Sequence, residues 1–430
     1  MNVFKYLENF IIFSFISLPI FLITGPFLPD LFLSISSILF IILSLKYNLW
    51  KNFYDITIVK IFFLFCVLIL LRSLFSENII LSLESSLFYL RFGLFSLAIY
   101  YLTSKTDKFL KYLFYILILI YLILFVDSFS QFILGKNISQ NIIGFMYENN
   151  QNFRITSFFG KDEVLGSYIS RLFPFVVYLY FKTNFHQKDK NFFIISIISF
   201  LSFLIVLISG ERTSIALFIM TLLIFFVSSK FLRKIYLFII FGVIVLTSII
   251  TTVDERVKVR LVDQTINQMF SSDNDKIILF SKIYEGHYKI ALNMFSEKPV
   301  LGHGTKIFRH YCNKPENYVG SNACTTHPHN ILMQFLAETG LLGTIFYILL
   351  MFFLIKYLLL NLYFLYFKSK QILNNRLLCL TTFYMINLFP FLPSGNFFGN
   401  WLSVIYFLPA GLFLLEIKNI NQLSIVKPRD

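Results

Sequence analysis

The stretch LKYLFYILILIYLILFVDSFSQFI, residues 110–133, carries only two charged side chains, Lys111 and Asp127. A helix of about 20 apolar residues is long enough to cross the hydrocarbon core of a bilayer, so this stretch predicts a membrane-spanning helix. The whole chain shares its character, since 57% of the 430 residues are hydrophobic and 14% are charged. A soluble domain carries roughly a quarter charged residues. The composition therefore predicts an integral membrane protein.

Further apolar runs of similar length follow along the chain. Together they predict an all-α polytopic membrane protein with about twelve transmembrane helices and no cleavable signal peptide. The predicted spans are 8–24, 29–45, 57–75, 86–103, 110–133, 164–181, 192–209, 213–229, 235–251, 341–362, 377–391 and 399–415.

Two segments between predicted spans are too long to be simple turns, 134–163 and 252–340. Long segments in compact proteins are usually functional or disordered. We expect the second to be folded, because KIYEGHYKIALNMF at 282–295 places apolar residues at helical spacing. The predicted organisation is therefore nine helices in 1–251, a large loop between spans nine and ten, and three helices with a tail in 341–430.

Lysine and arginine residues are concentrated in alternate turns between the predicted spans, and the net charge is +14. Because such residues accumulate on the cytoplasmic side, both termini are predicted to be cytoplasmic and both long loops to lie on the opposite face. The basic residues punctuate apolar runs and form no patch. We therefore expect contact with membrane lipids and no binding of nucleic acid.

The four cysteines fall into two groups. Cys66 and Cys379 lie inside predicted spans, where a small buried side chain is the simplest interpretation. Cys312 and Cys324 lie in the large outer loop, where an oxidising compartment favours a disulfide. Free thiols and a metal site with the nearby histidines are the alternatives, but the spacing does not match usual zinc patterns. DND at 273–275 is interpreted as a solvated turn, so no metal is expected.

A polar motif, THPHNILMQFLAETGLLG at 326–343, precedes the tenth span. Asn330 is a good N-cap for a helix that begins at Ile331. Asn330, Gln334 and Glu338 recur at every fourth position and therefore share one face of that helix. Gly340 and Gly343 allow the backbone to bend or pack closely. His329 is thus predicted at a helix start near the membrane surface, although a loop histidine that caps its neighbour explains the same residues.

His329 and Asn330, followed by nine residues and Gly-x-x-Gly, resemble the signature of the O-antigen ligase and O-antigen polymerase superfamily. Three further segments resemble that family in the same order along the chain. They are RITSFFGKDEVLGSYISRLFP at 154–174, ISGERTSIALF at 208–218 and ALNMFSEKPVLGHGTKIFRHYC at 291–312. The resemblance implies a glycosyltransferase C-like fold and metal-independent, inverting transfer of a glycan from undecaprenyl diphosphate, without a cofactor. It also implies the periplasmic face of a bacterial inner (cytoplasmic) membrane.

The resemblance also implies roles for individual residues. The histidine of the signature, which acts as the base, corresponds to His329, and imidazole suits that task near neutral pH. An arginine that holds the diphosphate corresponds to Arg212, whose planar guanidinium can donate two parallel hydrogen bonds. A second family arginine is expected near 282–287, where this sequence has none. We therefore expect His287 or Arg154 to supply that contact.

Three arginines have structural alternatives. Arg212 is alternatively an interfacial anchor paired with Glu211. Arg171 falls inside a predicted span, where a charged side chain is a functional candidate by default, so it is a further candidate for the diphosphate site. Its structural alternative is a pair with Asp127. Arg91 is equally well explained as a structural residue.

The favoured function is that of a ligase that transfers the glycan to a lipid A-core sugar hydroxyl, because the outer loop is basic and suits an anionic acceptor. An O-antigen polymerase, which joins lipid-linked repeat units, is the alternative, and protein O-oligosaccharyltransferases share the superfamily. A polysaccharide or lipid transporter is more remote, since the sequence lacks matching halves with interrupted helices. The expected partners are the lipid-linked donor, a lipid A-core or lipid-linked acceptor, and membrane lipids.

Overall fold

The computed structural model describes residues 3–135, 138, 154–183, 188–269, 282–317, 319–320 and 323–424. Helices dominate these residues, and no strand occurs among them. Most of the predicted outer loop 134–163 and the DND sequence at 273–275 lie outside the described residues. The prediction of an all-helical fold is confirmed for the described part of the chain.

Ten helices lie in the described residues before the large loop. They are α1 (Val3–Phe21), α2 (Phe27–Tyr47), α3 (Thr57–Leu74), α4 (Ile79–Ser86), α5 (Leu90–Lys105), α6 (Phe109–Leu134), α7 (Leu165–Thr183), α8 (Lys188–Ile208), α9 (Arg212–Ser228) and α10 (Lys230–Val253). A π-helical turn, Trp50–Tyr54, lies between α2 and α3, and a 3₁₀ turn, Ser157–Phe159, precedes α7.

The large loop and the carboxyl-terminal part are also helical where they are described. The helices are α11 (Glu255–Lys258), α12 (Gln264–Met269), α13 (Lys282–Glu297), α14 (Phe308–Cys312), α15 (Ile331–Phe367), α16 (Asn375–Asn387), α17 (Asn400–Phe407) and α18 (Ala410–Ser424). A π-helical turn, Val259–Asp263, joins α11 to α12, and a 3₁₀ turn, Pro315–Asn317, follows α14. The helix predicted over 282–295 is therefore present as α13.

Eight helical stretches in the described residues are long and apolar enough to cross a membrane. They are Val3–Phe21, Phe27–Tyr47, Thr57–Leu74, Ile79–Lys105, Phe109–Leu134, Lys230–Val253, Ile331–Phe367 and Asn400–Asn419. The four other predicted spans coincide with α7, α8, α9 and α16. The apolar parts of α8 and α9 are shorter, and α16 has only 13 residues. A protein with several spans is thus confirmed, whereas the count of twelve stays a prediction.

Helix α7 lies at the centre of the helical assembly, packed against α6, α8, α9 and α16. Its side chains are buried from Tyr168 to Phe181. Arg171 Nε donates to Ser167 Oγ at 3.0 Å, and its Nη1 donates to Asn387 Oδ1 at 3.1 Å. The charge is therefore solvated by polar groups of α7 and α16, in agreement with the rule that buried ions require hydrogen-bond partners.

The predicted structural partner of Arg171 was Asp127, and the structure gives a different arrangement. The Asp127 carboxylate accepts a hydrogen bond of 2.5 Å from the Ser157 hydroxyl. Arg171 instead joins α7 to α16 through Asn387, whose side-chain amide donates back to the Arg171 carbonyl at 3.2 Å. Arg91, by contrast, has the structural role that the sequence allowed, because its guanidinium pairs with Asp30 at 2.5 Å.

The large loop has a small hydrophobic core of its own. Its buried residues come from α13, α14, the chain around them and the first turns of α15, and they are Ile290, Ala291, Met294, Ile307, Phe308, Tyr311, Cys312, Ala323 and Ala337. Apolar burial of this kind stabilises a folded unit. The described part of the loop therefore packs on the start of α15.

Gly302 in the loop and Gly340 in α15 allow the loop and α15 to meet by direct backbone contact. Helix α15 is kinked at Gly340, which has φ 61° and ψ −165°. The kink allows the Leu341 amide to donate to the Pro299 carbonyl at 2.8 Å. A Cβ added at Gly302 would lie 2.5 Å from the Gly340 nitrogen, closer than any real contact. Gly302 and Gly340 are therefore required by the close approach of two backbones.

Gly343 has a related role one turn further along α15. A Cβ added there would lie 2.2 Å from the Thr339 hydroxyl oxygen. The prediction that the two glycines of Gly-x-x-Gly permit a bend and close packing agrees with the kink at Gly340 and the crowding at Gly343.

Candidate functional site

His329 lies immediately before α15 in a backbone conformation that is unusual for a residue with a side chain. Its φ is 53°, in the left-handed region. The His329 carbonyl accepts a hydrogen bond of 2.9 Å from the Ser394 amide. Asn330 is the N-cap of α15, and its side chain accepts from the Met333 amide at 3.1 Å. The direction of the His329 side chain is thus fixed from both sides of its backbone.

Three imidazole rings lie together at this helix start. The ring centroids of His327 and His329 are 4.1 Å apart, and those of His287 and His329 are 5.1 Å apart. His327 Nε2 lies 3.3 Å from the Ser394 carbonyl, and its Nδ1 lies 2.8 Å from the Thr326 hydroxyl. Both nitrogens of His327 are therefore engaged by the protein, which favours His329 as the reactive imidazole.

Burial determines the protonation of these rings. Removal from water lowers the pKa of His329 to about 4, and the neighbouring His287 adds to that effect. Burial, followed by the charge of His329, lowers the pKa of His327 to about 3. Because desolvation disfavours the charged imidazolium, both rings are neutral at pH 7. A neutral imidazole has a lone pair that can accept a proton.

Helix α13 brings its first two turns against the histidines. Tyr284, His287 and Tyr288 recur at helical spacing and therefore share one face. The ring of Tyr284 lies 5.9 Å from that of His329, and burial raises the pKa of Tyr288, which lies near the side chain of Asn330, to about 12. The loop helix thus supplies one side of the site, while α15 supplies the other.

A cluster of guanidinium groups lies beside the tyrosine. Arg212, the first residue of α9, donates to the Thr265 hydroxyl at 3.1 Å, and Arg260 donates to the Gln264 side chain at 2.7 Å. Arg154 forms an ion pair with Glu163. Arg154 and Arg212 both repel Arg260, and after burial this repulsion lowers the Arg260 pKa. Three cations held near one another form an electropositive surface suited to an anion.

Tyr284 joins the two groups of side chains. It interacts electrostatically with both Arg212 and Arg260, and its ring contacts His287 and His329. His329, the predicted base, and Arg212, the arginine predicted to hold a diphosphate, thus both lie near Tyr284, although they are more than a hundred residues apart in the chain.

Glu211 does not form the ion pair with Arg212 that the interfacial-anchor alternative required. Its carboxylate accepts from the Gly166 amide at 2.7 Å, from the Ser167 amide at 3.0 Å and from the Ser214 hydroxyl at 2.8 Å. Burial raises its pKa to about 7. Glu211 therefore caps the amino-terminal end of α7, where a carboxylate satisfies unpaired amides and complements the helix dipole.

The polar side chains on one face of α15 and at its N-cap hold the segment that connects α16 to α17, residues 388–399. Asn330 Nδ2 donates to the Pro390 carbonyl at 2.7 Å, and Gln334 Nε2 donates to Asn396 Oδ1 at 2.7 Å. Gln334 also donates to the Glu338 carboxylate at 3.0 Å. These three residues are buried and support the surroundings of His329 without facing open space.

The structure brings four of the five predicted reactive residues together: His329, His287, Arg212 and Arg154. Arg171 does not join them, because it is held by Ser167 and Asn387 in the core. Sequence reasoning missed Arg260 and Tyr284. Arg260 lies in VKVRLVD, where valines and leucine alternate with charged residues. That pattern signals an amphipathic segment, but it does not reveal which predicted span the segment touches.

The loop also contains a disulfide between Cys312 and Cys324, with Cα atoms 5.2 Å apart. Cys66 and Cys379 are buried free thiols. Within the described ranges, no group of three or more histidine, cysteine, aspartate or glutamate side chains is arranged to hold a metal ion. The positive charge that this site offers a ligand comes from its guanidinium groups.

Residues 197–348 match the family model described as O-Antigen ligase. The matched region covers about a third of the chain. It contains Arg212, Arg260, the three clustered histidines, Gly302, Gly340 and Gly343. The match confirms the resemblance that the sequence motifs predicted, and it supports a glycosyltransferase-like function in the processing of membrane-linked glycans. No curated protein matches the chain.

Proposed function

We propose that this protein transfers a glycan from undecaprenyl diphosphate to a sugar hydroxyl of lipid A-core at the periplasmic face of a bacterial inner membrane. The observation that carries the proposal is the position of Tyr284, whose ring lies 5.9 Å from that of the neutral His329 and which interacts electrostatically with Arg212 and Arg260. A transfer from a diphosphate needs a proton acceptor on one side of the reacting carbon and positive charge on the other. The family match supports the same class of reaction.

In the proposed reaction the acceptor oxygen attacks the anomeric carbon of the first donor sugar. The hydroxyl proton passes to the free nitrogen of His329, and the bond between the anomeric carbon and the phosphate oxygen breaks. Undecaprenyl diphosphate leaves with the electron pair of that bond. Because attack and departure occur on opposite faces of the carbon, the configuration inverts.

The leaving diphosphate gains negative charge, and Arg212, Arg260 and Arg154 are the residues that we assign to it. Guanidinium groups donate paired hydrogen bonds to phosphate oxygens and stay charged. They supply the electrostatic stabilisation that a metal ion supplies in other phosphate-binding enzymes. The proposal is therefore metal-independent. His287, which the sequence assigned to the diphosphate, stacks on His329 and is assigned here to the base.

Reconstitution with two acceptors tests this proposal. The purified protein in lipid vesicles is supplied with a glycosylated undecaprenyl diphosphate and either lipid A-core or a second lipid-linked repeat unit. Transfer to lipid A-core, unchanged by EDTA, supports a ligase. Elongation of the lipid-linked unit would instead support the polymerase alternative, and no transfer to either acceptor would overturn the proposed reaction.

The topology is a part of the proposal that requires its own measurement. Single cysteines placed in the tail and at exposed loop positions such as Glu316 are labelled in intact cells with a reagent that does not cross the membrane. Labelling of the loop and not of the tail supports cytoplasmic termini and a periplasmic loop. The reverse pattern would contradict both.

A further inference from the structure

Tyr284 occupies the space between the two reactive groups of the site. It lies in the first turn of α13 and is partly buried. Its ring centroid is 5.9 Å from that of His287 and 5.9 Å from that of His329. Its hydroxyl end interacts electrostatically with Arg212 and Arg260.

The proposed reaction places a sugar at the same position. An inverting displacement needs the base next to the attacking oxygen and the positive charge next to the leaving phosphate. The reacting carbon, and with it the first sugar ring of the donor, must therefore lie between His329 and the arginines. The side chain that borders this interval is Tyr284.

A tyrosine suits contact with a sugar ring. Its aromatic face can pack on the apolar C–H face of a pyranose, and its hydroxyl can take part in hydrogen bonds. The neighbouring Tyr288 stacks on the Tyr284 ring, with ring centroids 6.4 Å apart. Tyr288 is buried and lies near Asn330, the N-cap of α15.

We propose that Tyr284 forms one wall of the subsite for the first sugar of the donor, the sugar attached directly to the diphosphate. The inference rests on the proposed function. It assigns to Tyr284 the recognition of that sugar, whereas the arginines recognise the diphosphate irrespective of the sugar. Tyr284 is thus a specificity-determining residue for the donor.

Binding measurements without an acceptor test this assignment, because no turnover occurs. The probes are sugar-free undecaprenyl diphosphate and two donors that differ only in the first sugar, a 2-acetamido sugar and a plain hexose. The variants are Tyr284→Ala, Tyr284→Phe and, as a matched control, Tyr112→Ala, which removes an exposed tyrosine of α6.

For the wild type we expect glycosylated donors to bind more tightly than the sugar-free lipid. Tyr284→Ala is expected to weaken the better donor by about 10–100-fold, which is the usual range for the loss of an apolar contact in a pocket. It should also reduce the discrimination between the two donors, while the affinity for the sugar-free lipid stays within about threefold. Tyr284→Phe should retain most of the preference, because the ring remains.

Three other results would overturn the inference. The first is full discrimination between the donors in Tyr284→Ala, and the second is an equal loss of discrimination in Tyr112→Ala. The third is a Tyr284→Ala variant whose binding of the sugar-free lipid is weakened as much as that of the glycosylated donors, which would assign Tyr284 to the diphosphate or to the fold. A wild-type protein that binds none of the three lipids would instead overturn the proposed function itself, so the two failures are distinguishable.

Discussion

Two clusters of charged residues lie at the two ends of α7. The amino-terminal end, near Leu165, adjoins Arg212 through Glu211, which caps the helix. At the other end, Lys182 lies 3.4 Å from Asp107 and 3.9 Å from Glu416, and Arg376 lies 3.7 Å from Glu416. With a rise of 1.5 Å per residue, these ends are about 27 Å apart.

The two clusters differ in the signs of their charges. At the Lys182 end, each cation faces a carboxylate, so attraction offsets the loss of solvation. At the Arg212 end, Arg154 pairs with Glu163, but Arg154, Arg212 and Arg260 repel one another. Like charges are brought together at a stability cost that an incoming anion can relieve. A compensated cluster stabilises the fold, whereas a repulsive one is suited to bind a ligand.

The largest effect is expected from replacing His329, the proposed base. His329→Ala should lower transfer by roughly 10²–10⁴-fold, the usual contribution of a positioned acid or base. His327→Ala should lower it less, because the His327 nitrogens are engaged by Thr326 and Ser394. Transfer is measured in membranes at matched protein level. Near-normal transfer by His329→Ala would leave the histidine motif with a structural role alone.

Matched substitutions in the two clusters give the next largest effect. Arg212→Lys keeps the charge but removes the planar pair of donors, so transfer should fall by about 10²-fold while the protein still accumulates. Arg376→Lys in the compensated cluster should leave transfer per molecule near that of the wild type. If the two variants lose transfer equally, the distinction between a binding cluster and a structural cluster is wrong.

The pH dependence of transfer sharpens the same comparison. The His329 pKa is lowered to about 4 by burial and then by His287, so the free protein holds the base deprotonated above that value. The acid limb of kcat/KM, which reports the free enzyme, should therefore lie well below pH 6.5. The limb of kcat should lie at higher pH, because the bound diphosphate stabilises the imidazolium. An acid limb of kcat/KM at or above 6.5 would contradict this.

The smallest effect is expected from the disulfide. Cys312→Ser with Cys324→Ser should lower the stability of the loop by about 2–3 kcal/mol in the loop-entropy model and reduce transfer only moderately. The cluster at Lys182 should be unaffected. Peptide mapping without reduction should find the two cysteines linked in protein from native membranes. Two freely alkylated thiols would exclude the bond.

Sequence periodicity predicted the helices better than it predicted their surroundings. Apolar runs gave the positions of α1 to α3, α5 to α10, α15 and α16, and a single run covered α17 and α18, because hydropathy is a local property. The short helix α4 was not predicted. Apolar runs could not show that α7 is surrounded by protein. A helix in that position tolerates Arg171, whose partner Asn387 lies more than two hundred residues away.

The candidate site shows the same limit. Motifs predicted four of the site residues, since motif residues are close in sequence to recognisable glycines. These four are His329, Arg212, Arg154 and His287. Arg260 and Tyr284 were not predicted, because their importance depends on the packing of the loop on α9 and α15. The family resemblance predicted an arginine near 282–287. In the structure the third guanidinium is that of Arg260, in the π-helical turn between α11 and α12.

The backbone contact between Gly302 and Gly340 has a consequence for biosynthesis. The ribosome completes residues 282–312 well before α15 emerges, and the kink on which they dock does not yet exist. The loop must therefore wait, undocked, until α15 has formed. Truncated chains that end near residue 330 should have a protease-sensitive loop, and chains that end after α16 should have a resistant one. The reactive histidine and arginines would then meet only late in synthesis, so a prematurely terminated chain would be inactive even with nearly all of its site residues present.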